Sequence, residues 1–246
     1  MGNTQIHRPR FPSPEGGPLA DKPTINVIIP TLNEAESIGQ TIDQIPKGDN
    51  ITVTIVDNST DRTREIAKEK GAEIIEEPRK GYGRAYKTGF DACDKDIIVT
   101  FDGDTTYPAE MTQELADILI RDELDFISCD RLTKLKPEAM TRGHRIGNWV
   151  LVKTMNVLFS MKLKDSQTGM WVFRSEIWPK LDVISDGMPF SQEIKIEAWK
   201  KGFRCREIAV DYRPRIGEIK LNTWGDGRRN LFYFFKKRWG HPTPED

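Results

Sequence analysis

The sequence predicts an α/β fold whose central sheet is mostly parallel and covered by helices on both faces. Three observations predict it. Short apolar runs rich in β-branched residues recur at 25–29, 51–56 and 97–101, the length and composition of buried strands. Stretches of helical length separate them, which is the alternation of a parallel sheet. Each run ends in polar or acidic residues, as strands do at the edge where an open α/β sheet binds its ligands.

Taken in order, residues 1–23 hold Pro9, Pro12, Pro14, Gly16, Gly17 and Pro18 among few apolar anchors and read as a disordered leader. The strand at 25–29 is closed by Pro30. Asn33 is the expected N-cap of the next helix, with Glu34 and Glu36 in its first turn and Ile38, Ile42 and Ile45 on one face. The strand at 51–56 runs into Asp57-Asn58-Ser59, a short helix at 61–70 stops at Gly71, and 73–76 is a minor strand. Lys80-Gly81-Tyr82-Gly83 leads into a helix reaching about residue 93. After the strand at 97–101 comes Asp102-Gly103-Asp104, with Gly103 expected to let the backbone turn. Pro108 opens a helix to about 121, and 125–129 is the next strand. Beyond Arg131 the alternation loosens: a polar, basic stretch at 131–145, an amphipathic helix at 146–161, a turn and short strand at 165–174, a helix at 191–200, an extended segment at 205–212 and a last amphipathic helix at 222–238. No internal repeat is present.

The chain has 246 residues, 37% apolar and 30% charged, enough for one large domain or two small ones with a real core. Its net charge of −1 gives no overall attraction for nucleic acid. Residues 201–240 nevertheless carry eleven Lys or Arg against four Asp or Glu, a basic end suited to phosphate, an anionic membrane surface or water. Cys93, Cys129 and Cys205 lack metal-ligand spacing and read as buried free thiols of a reducing compartment. Three scattered histidines argue against a histidine-based zinc site. With no signal-like apolar N-terminus and no run near the ~20 apolar residues of a spanning helix, the expected location is cytoplasmic, peripheral at the cytoplasmic face of a membrane.

The chemistry concentrates at one sheet edge, where Thr31-Leu32-Asn33-Glu34, Asp57 and the Asp102/Asp104 pair fall at three predicted strand ends. Two carboxylates two residues apart are what Mg²⁺ or Mn²⁺ needs when it is shared with substrate phosphates. Taken alone, each cluster reads equally as a solvated turn, and Gly81 and Gly83 as a helix-entry turn. The cations Arg131, Arg142 and Arg145, then Arg213, Arg215 and Lys220, flank the predicted site, and Arg suits bidentate phosphate binding.

Pro30-Thr31-Leu32-Asn33-Glu34, Val56-Asp57-Asn58-Ser59-Thr60-Asp61, Lys80-Gly81-Tyr82-Gly83 and Asp102-Gly103-Asp104 resemble, in order and spacing, the family 2 glycosyltransferases with the GT-A fold. The stretch from Asp165-Ser166-Gln167-Thr168-Gly169 to Phe173-Arg174 resembles an element of the dolichyl-phosphate sugar synthase branch, and Arg215-Ile216-Gly217-Glu218-Ile219-Lys220-Leu221 is similar to a second one. The resemblance covers residues 25–221. It implies a GT-A domain at 24–221, followed by an amphipathic, membrane-surface segment at 222–246.

The resemblance also implies roles. Pro30, Thr31, Asn33, Glu34 and Asp57 would line the nucleotide, Gly81, Gly83 and Gly103 would let the backbone pass close to it, and Lys80 would steady its charge. Asp102 and Asp104 would hold Mg²⁺ or Mn²⁺ on the diphosphate; the branch can add a Gln two residues further on, where this chain has Thr106. Asp104, Glu193, Arg131 and Arg215 are the expected catalytic residues, and Arg131, Arg142, Arg145, Arg213, Arg215 and Lys220 the acceptor-phosphate set. The implied reaction is inverting transfer of a sugar from a nucleotide diphosphate, UDP-glucose or UDP-N-acetylglucosamine before GDP-mannose, to dolichyl (polyprenyl) phosphate. A lipid phosphate, its second pKa about 6, attacks without a base, so Glu193 would contact the sugar or order the site. With an alcohol acceptor Glu193 would instead be the general base. A nucleotidyltransferase or a sugar-nucleotide-binding module is the alternative of another class.

Overall fold

The computed structural model describes residues 22–136, 139–217 and 223–245. The first half runs β1 (Ile25–Thr31), α1 (Ile38–Gln44), β2 (Ile51–Asp57), α2 (Thr63–Glu69), β3 (Glu73–Glu76), α3 (Tyr82–Asp91) and β4 (Ile97–Thr100). The second runs α4 (Thr112–Arg121), β5 (Phe126–Asp130), α5 (Arg142–Phe159), β6 (Trp171–Arg174), α6 (Phe190–Lys200), β7 (Cys205–Ala209) and α7 (Thr223–Trp239). The strands form one sheet in the order β3-β2-β1-β4-β6-β5-β7.

Alternation along the buried strands builds two cores, because successive side chains point to opposite faces. Val27, Ile29 and Val99 lie on one face with Leu115 and Leu119 of α4 and Ile38 and Ile42 of α1. Ile28 and Ile98 point the other way, onto Tyr86 and Phe90 of α3 and Phe190 and Ile194 of α6. A third cluster joins α5 to α7 through Leu151, Met155 and Phe234, so α7 packs on the body of the domain.

One strand departs from the parallel pattern, and it matters most for the site. β6 inserts between β4 and β5 and pairs antiparallel with both. An antiparallel strand begins where its parallel neighbours end. Residues 165–169, which lead into β6, are therefore delivered to the carboxyl edge of the sheet, and the Gly169 carbonyl accepts the Thr100 hydroxyl at 2.8 Å there.

Several local expectations change. Asn33 is not an N-cap: it takes a left-handed φ of 54°, and α1 starts only at Ile38, after a turn in which the Glu34 carbonyl accepts the N–H groups of Ser37 and Ile38. The positive φ in the acidic turn falls on Thr105 (66°), not on Gly103. Gly103 is small for another reason, since a Cβ there would lie 3.2 Å from Thr31 Cγ2 and 3.3 Å from Ile38 Cδ1. α5 begins four residues earlier than expected, which turns its first arginines onto a different face. Of the thiols only Cys129 is fully buried; Cys93 and Cys205 are half-buried. Residues 1–21 of the expected leader, and Lys220, lie outside the described residues.

Candidate active site

The carboxyl ends of β1, β2 and β4 open onto a cavity of about 850 Å³. Loop residues after β1, β2 and β3 make one wall, and Asn148, Leu151 and Asn230 of α5 and α7 also line the cavity. Tyr212, Arg213 and Arg215 close a third side.

Interlocked polar contacts hold the first wall. Asp57, 1% exposed, accepts the Thr31 hydroxyl at 2.6 Å, the Ser59 N–H at 2.9 Å and Arg64 Nε at 2.6 Å. With the Ser59 hydroxyl also on its Oδ1, its four lone-pair positions are all taken, so it orders this wall from within. Asn33 ties the same loops together, its N–H donating to Ser59 Oγ at 2.7 Å and its Oδ1 accepting the Thr60 N–H at 2.8 Å. Lys80 and Gly81 line the mouth. Gly81 must be glycine twice over: its φ is 144°, and a Cβ would sit 2.3 Å from the Asp186 carbonyl.

The acidic pair stands at the end of β4. Asp104 is buried, and its Oδ1 accepts the Thr106 hydroxyl at 2.6 Å and the Thr106 N–H at 3.1 Å. Thr106 thus orients Asp104 from the position where the branch can carry a Gln. Arg215 Nη1 donates to Asp104 Oδ2 at 2.7 Å and Nη2 to Glu34 Oε1 at 2.6 Å, strapping 212–217 across the site. Asp102 accepts the Tyr82 hydroxyl at 3.2 Å. Burial and the adjacent Asp104 charge push the Asp102 carboxyl up to about 7. A carboxylate this reluctant to ionise beside another fits a divalent cation. Among the described residues no group of three or more His, Cys, Asp or Glu is gathered. Such an ion would draw its remaining ligands from phosphate and water, which is how Mg²⁺ binds through one or two carboxylates.

The predicted phosphate cations divide. Arg131, Arg213 and Arg215 line the cavity, each engaged by an acid. Arg131 is buried in a bidentate pair with Asp165 (2.6 and 2.9 Å), and its guanidinium lies 5.3 Å from the Tyr212 ring centre. Although burial opposes ionisation, Arg131 holds Asp165 below the usual carboxylate range. Arg213 pairs with Glu110 and donates to Gln44 Oε1 at 3.2 Å. Arg142 and Arg145 do not join this set. The helical repeat brings His144, Gly147, Asn148 and Leu151 to the cavity and leaves both arginines exposed on other faces of α5.

Residues 26–181 match glycosyl transferase family 2. The chain belongs to that family. A low-salt glycan biosynthesis hexosyltransferase, Agl6, of Haloferax volcanii is 35% identical over 89% of the chain, which spans 55% of that relative. A dolichyl-phosphate hexose transferase of the same organism is 36% identical over 82% of the chain and 88% of its own length. Among solved structures, glucosyl-3-phosphoglycerate synthase of Mycobacterium tuberculosis, in complex with Mn²⁺, UDP and glucosyl-3-phosphoglycerate, superposes with a TM-score of 0.74 at 21% identity, over 89% of this chain and 81% of that one. That likeness shows the fold, a GT-A sheet.

In this glycosyltransferase Glu193 does not line the cavity. It is 0% exposed, its Oε2 accepts the N–H groups of Ile184 and Ser185 (3.1 and 2.9 Å), and its Oε1 pairs with Lys237 at 2.9 Å. Gly83 also lies away from the cavity. A Cβ there would stand 2.5 Å from the Ser185 carbonyl and 2.7 Å from Phe190 Cβ, so its smallness serves the packing of α3 on α6. The sequence reading passed over Glu77, Tyr82, Gln167 and Asn230, which the glycosyltransferase brings to the cavity. Hydrogen bonds from Arg79, with a further one from Thr88, outweigh burial and hold Glu77 down at about 2. Its place one residue past β3 was open to the strand-end rule, and Tyr82 and Gln167 stand in stretches that carry the family resemblance; Asn230 depends on long-range packing.

Because the folded chain holds the Asp102 proton more tightly than the unfolded one, Asp102 favours folding at low pH and loses that contribution as pH rises from 3.8 through about 7. In protein labelled with ¹³C at aspartate, one carboxyl signal should titrate with a midpoint near 7, vanish in Asp102→Asn and move to lower pH in Asp104→Asn. A normal carboxylate midpoint at Asp102 would refute the crowding described here.

Proposed function

We propose that the chain transfers a hexosyl residue, with inversion, from a nucleoside diphosphate sugar to dolichyl (polyprenyl) phosphate. The observation that carries this reading is the state of Glu193. The carboxylate that would deprotonate an alcohol acceptor is buried, saturated by two backbone N–H groups and neutralised by Lys237. A lipid phosphate, with a second pKa of about 6, is already ionised and needs no such base. What it needs is positive charge near its path, and Arg131, Arg213 and Arg215 line the same cavity as Asp102 and Asp104. Arg215 Nε is buried without a hydrogen-bond partner among the described residues, a donor left over for an anion. The 36% identical relative named for dolichyl-phosphate hexose transfer supports the acceptor.

In the proposed step a phosphate oxygen of the lipid attacks the anomeric carbon from the face opposite the nucleotide. The bond from that carbon to the diphosphate breaks, and the nucleoside diphosphate departs with its electron pair. Mg²⁺ or Mn²⁺ on Asp102 and Asp104 would supply charge neutralisation to the leaving diphosphate. The chain's residues do the rest: the Asp57 network shapes the nucleotide wall, Thr106 and Arg215 orient Asp104, and Asp165 and Tyr212 fix Arg131. UDP-glucose or UDP-N-acetylglucosamine is the donor we favour over GDP-mannose, since the structural neighbours hold UDP.

The same reading places the protein at the cytoplasmic face of a membrane. Among the described residues no helix is long and apolar enough to cross one. α5 buries Leu151, Val152 and Met155 but leaves Trp149 61% and Val157 78% exposed, and α7 leaves Phe232 and Trp239 exposed and carries Lys236 and Arg238 in its last turn. Aromatic and aliphatic side chains backed by basic ones suit an interfacial hold, beside the cavity that would take the lipid phosphate.

Incubation with Mn²⁺, polyprenyl phosphate and radiolabelled UDP-glucose, UDP-N-acetylglucosamine or GDP-mannose should place label in the lipid extract. EDTA should abolish the transfer, and Asp104→Asn should reduce it at least a hundredfold, the order expected when transition-state charge stabilisation is lost. Label only in water-soluble glycan, or a pH–rate limb abolished by Glu193→Gln, would favour the alcohol acceptor instead. Trp149→Ser, Phe232→Ser and Trp239→Ser together should weaken co-sedimentation with anionic liposomes about tenfold or more. UDP affinity should be unchanged in that variant; an equal loss of UDP binding would make those side chains structural.

A further inference from the structure

Three amides form a closed ring beneath the cavity, and its polarity is set by one backbone group. The Asn230 carbonyl accepts from Gln192 Nε2 at 2.9 Å. A carbonyl can only accept, so the Gln192 amide must turn its nitrogen there and present Oε1 to Gln167, whose Nε2 donates at 2.8 Å. Gln167 then presents its own oxygen, which takes Asn230 Nδ2 at 2.9 Å. The ring returns to the residue at which it began, leaving one atom over. Asn230 Oδ1 is buried and has no hydrogen-bond partner among the described residues, on a side chain 4% exposed that lines the cavity.

A buried acceptor left unpaired costs about 1–3 kcal/mol. The ring prevents Asn230 from relieving this by a flip, because a flip would set its oxygen against the Gln167 oxygen. A fixed acceptor that only an O–H or N–H can satisfy therefore sits on a residue that lines the cavity. An ionised phosphate has no such hydrogen, and neither has a polyprenyl tail. Gln167 stands two residues before Gly169, whose Cβ position is 3.1 Å from Asp102 Oδ1, so this acceptor is anchored to the wall that carries the acidic pair.

We infer that Asn230 Oδ1 accepts a hydrogen bond from a hydroxyl of the transferred sugar, making Asn230 a specificity-determining residue of the donor site. This rests on the reading that a nucleotide sugar occupies the cavity. Gln167 and Gln192 act through it as positioning residues.

Calorimetric titration with Mn²⁺ and, in turn, UDP, UDP-glucose and its 2-, 3-, 4- and 6-deoxy analogues tests the inference. The wild type should bind one deoxy analogue roughly tenfold more weakly than UDP-glucose. Asn230→Leu should bind that analogue and UDP-glucose alike while keeping its affinity for UDP. Loss of the preference with UDP affinity intact is a split that mere loosening of α7 would not produce. The assignment falls if Asn230→Leu keeps the wild-type discrimination, or if it weakens UDP and UDP-glucose by the same factor. It falls as well if the wild type distinguishes no analogue from UDP-glucose. Failure of the wild type to bind UDP at all would instead overturn the donor-site reading beneath it.

Discussion

Two carboxylates share the end of one central strand, and the rest of the structure is arranged around their repulsion. Asp104 is stabilised from two sides, by the Thr106 hydroxyl and N–H and by Arg215. Asp102 is less well served, and its carboxyl is driven up to about 7 by burial and by Asp104. The backbone between and beyond them is held under constraint: Thr105 sits at a left-handed φ of 66°, and the Gly103 carbonyl is pinned by the Ser37 hydroxyl at 2.8 Å. Left-handed backbone at a non-glycine residue and crowded like charges both cost free energy, and they persist together where a site needs them.

Charge elsewhere in the cavity follows one pattern, in which each arginine is paired before any substrate arrives. Arg131 is locked to Asp165, whose carbonyl is in turn held by the buried Lys195 at 3.0 Å. Removing one member of a buried pair of this kind strands the other, at about 3–5 kcal/mol, so Arg131 is a fixed charge on a fixed wall. Arg215 is different in kind. It bridges Glu34 and Asp104 across the cavity, one through each terminal nitrogen. The pairing of Lys237 with Glu193 and Glu197 ties α7, the helix that carries Asn230, to α6.

Much of this was legible in the chain itself, and what was not has a common cause. The strands at 25–31, 51–57 and 97–100 announce themselves by β-branched runs, and the strand-end rule led from them to Thr31, Asp57, Asp102 and Asp104. Local rules failed where a neighbour decides. Asn33 has the composition of an N-cap, but Ser59 and Thr60 of the adjacent loop hold it in a left-handed turn. Gly83 was read as making room for a ligand, and it makes room for Phe190. Arg142 and Arg145 follow from composition alone, and a four-residue shift in the start of α5 moves them away from the cavity. No periodicity foretells that β6 runs against its neighbours, that Glu193 meets Lys237, or that Gln167, Gln192 and Asn230 close a ring across 63 residues of chain.

The most direct measurement is a crystal structure with Mn²⁺ and UDP, with data collected for the anomalous signal of manganese. The account predicts a manganese peak bridging the Asp102–Asp104 turn and the diphosphate, with the uridine against the Asp57 wall. A UDP molecule whose phosphates lie away from that turn, or a manganese peak on other residues, would contradict it.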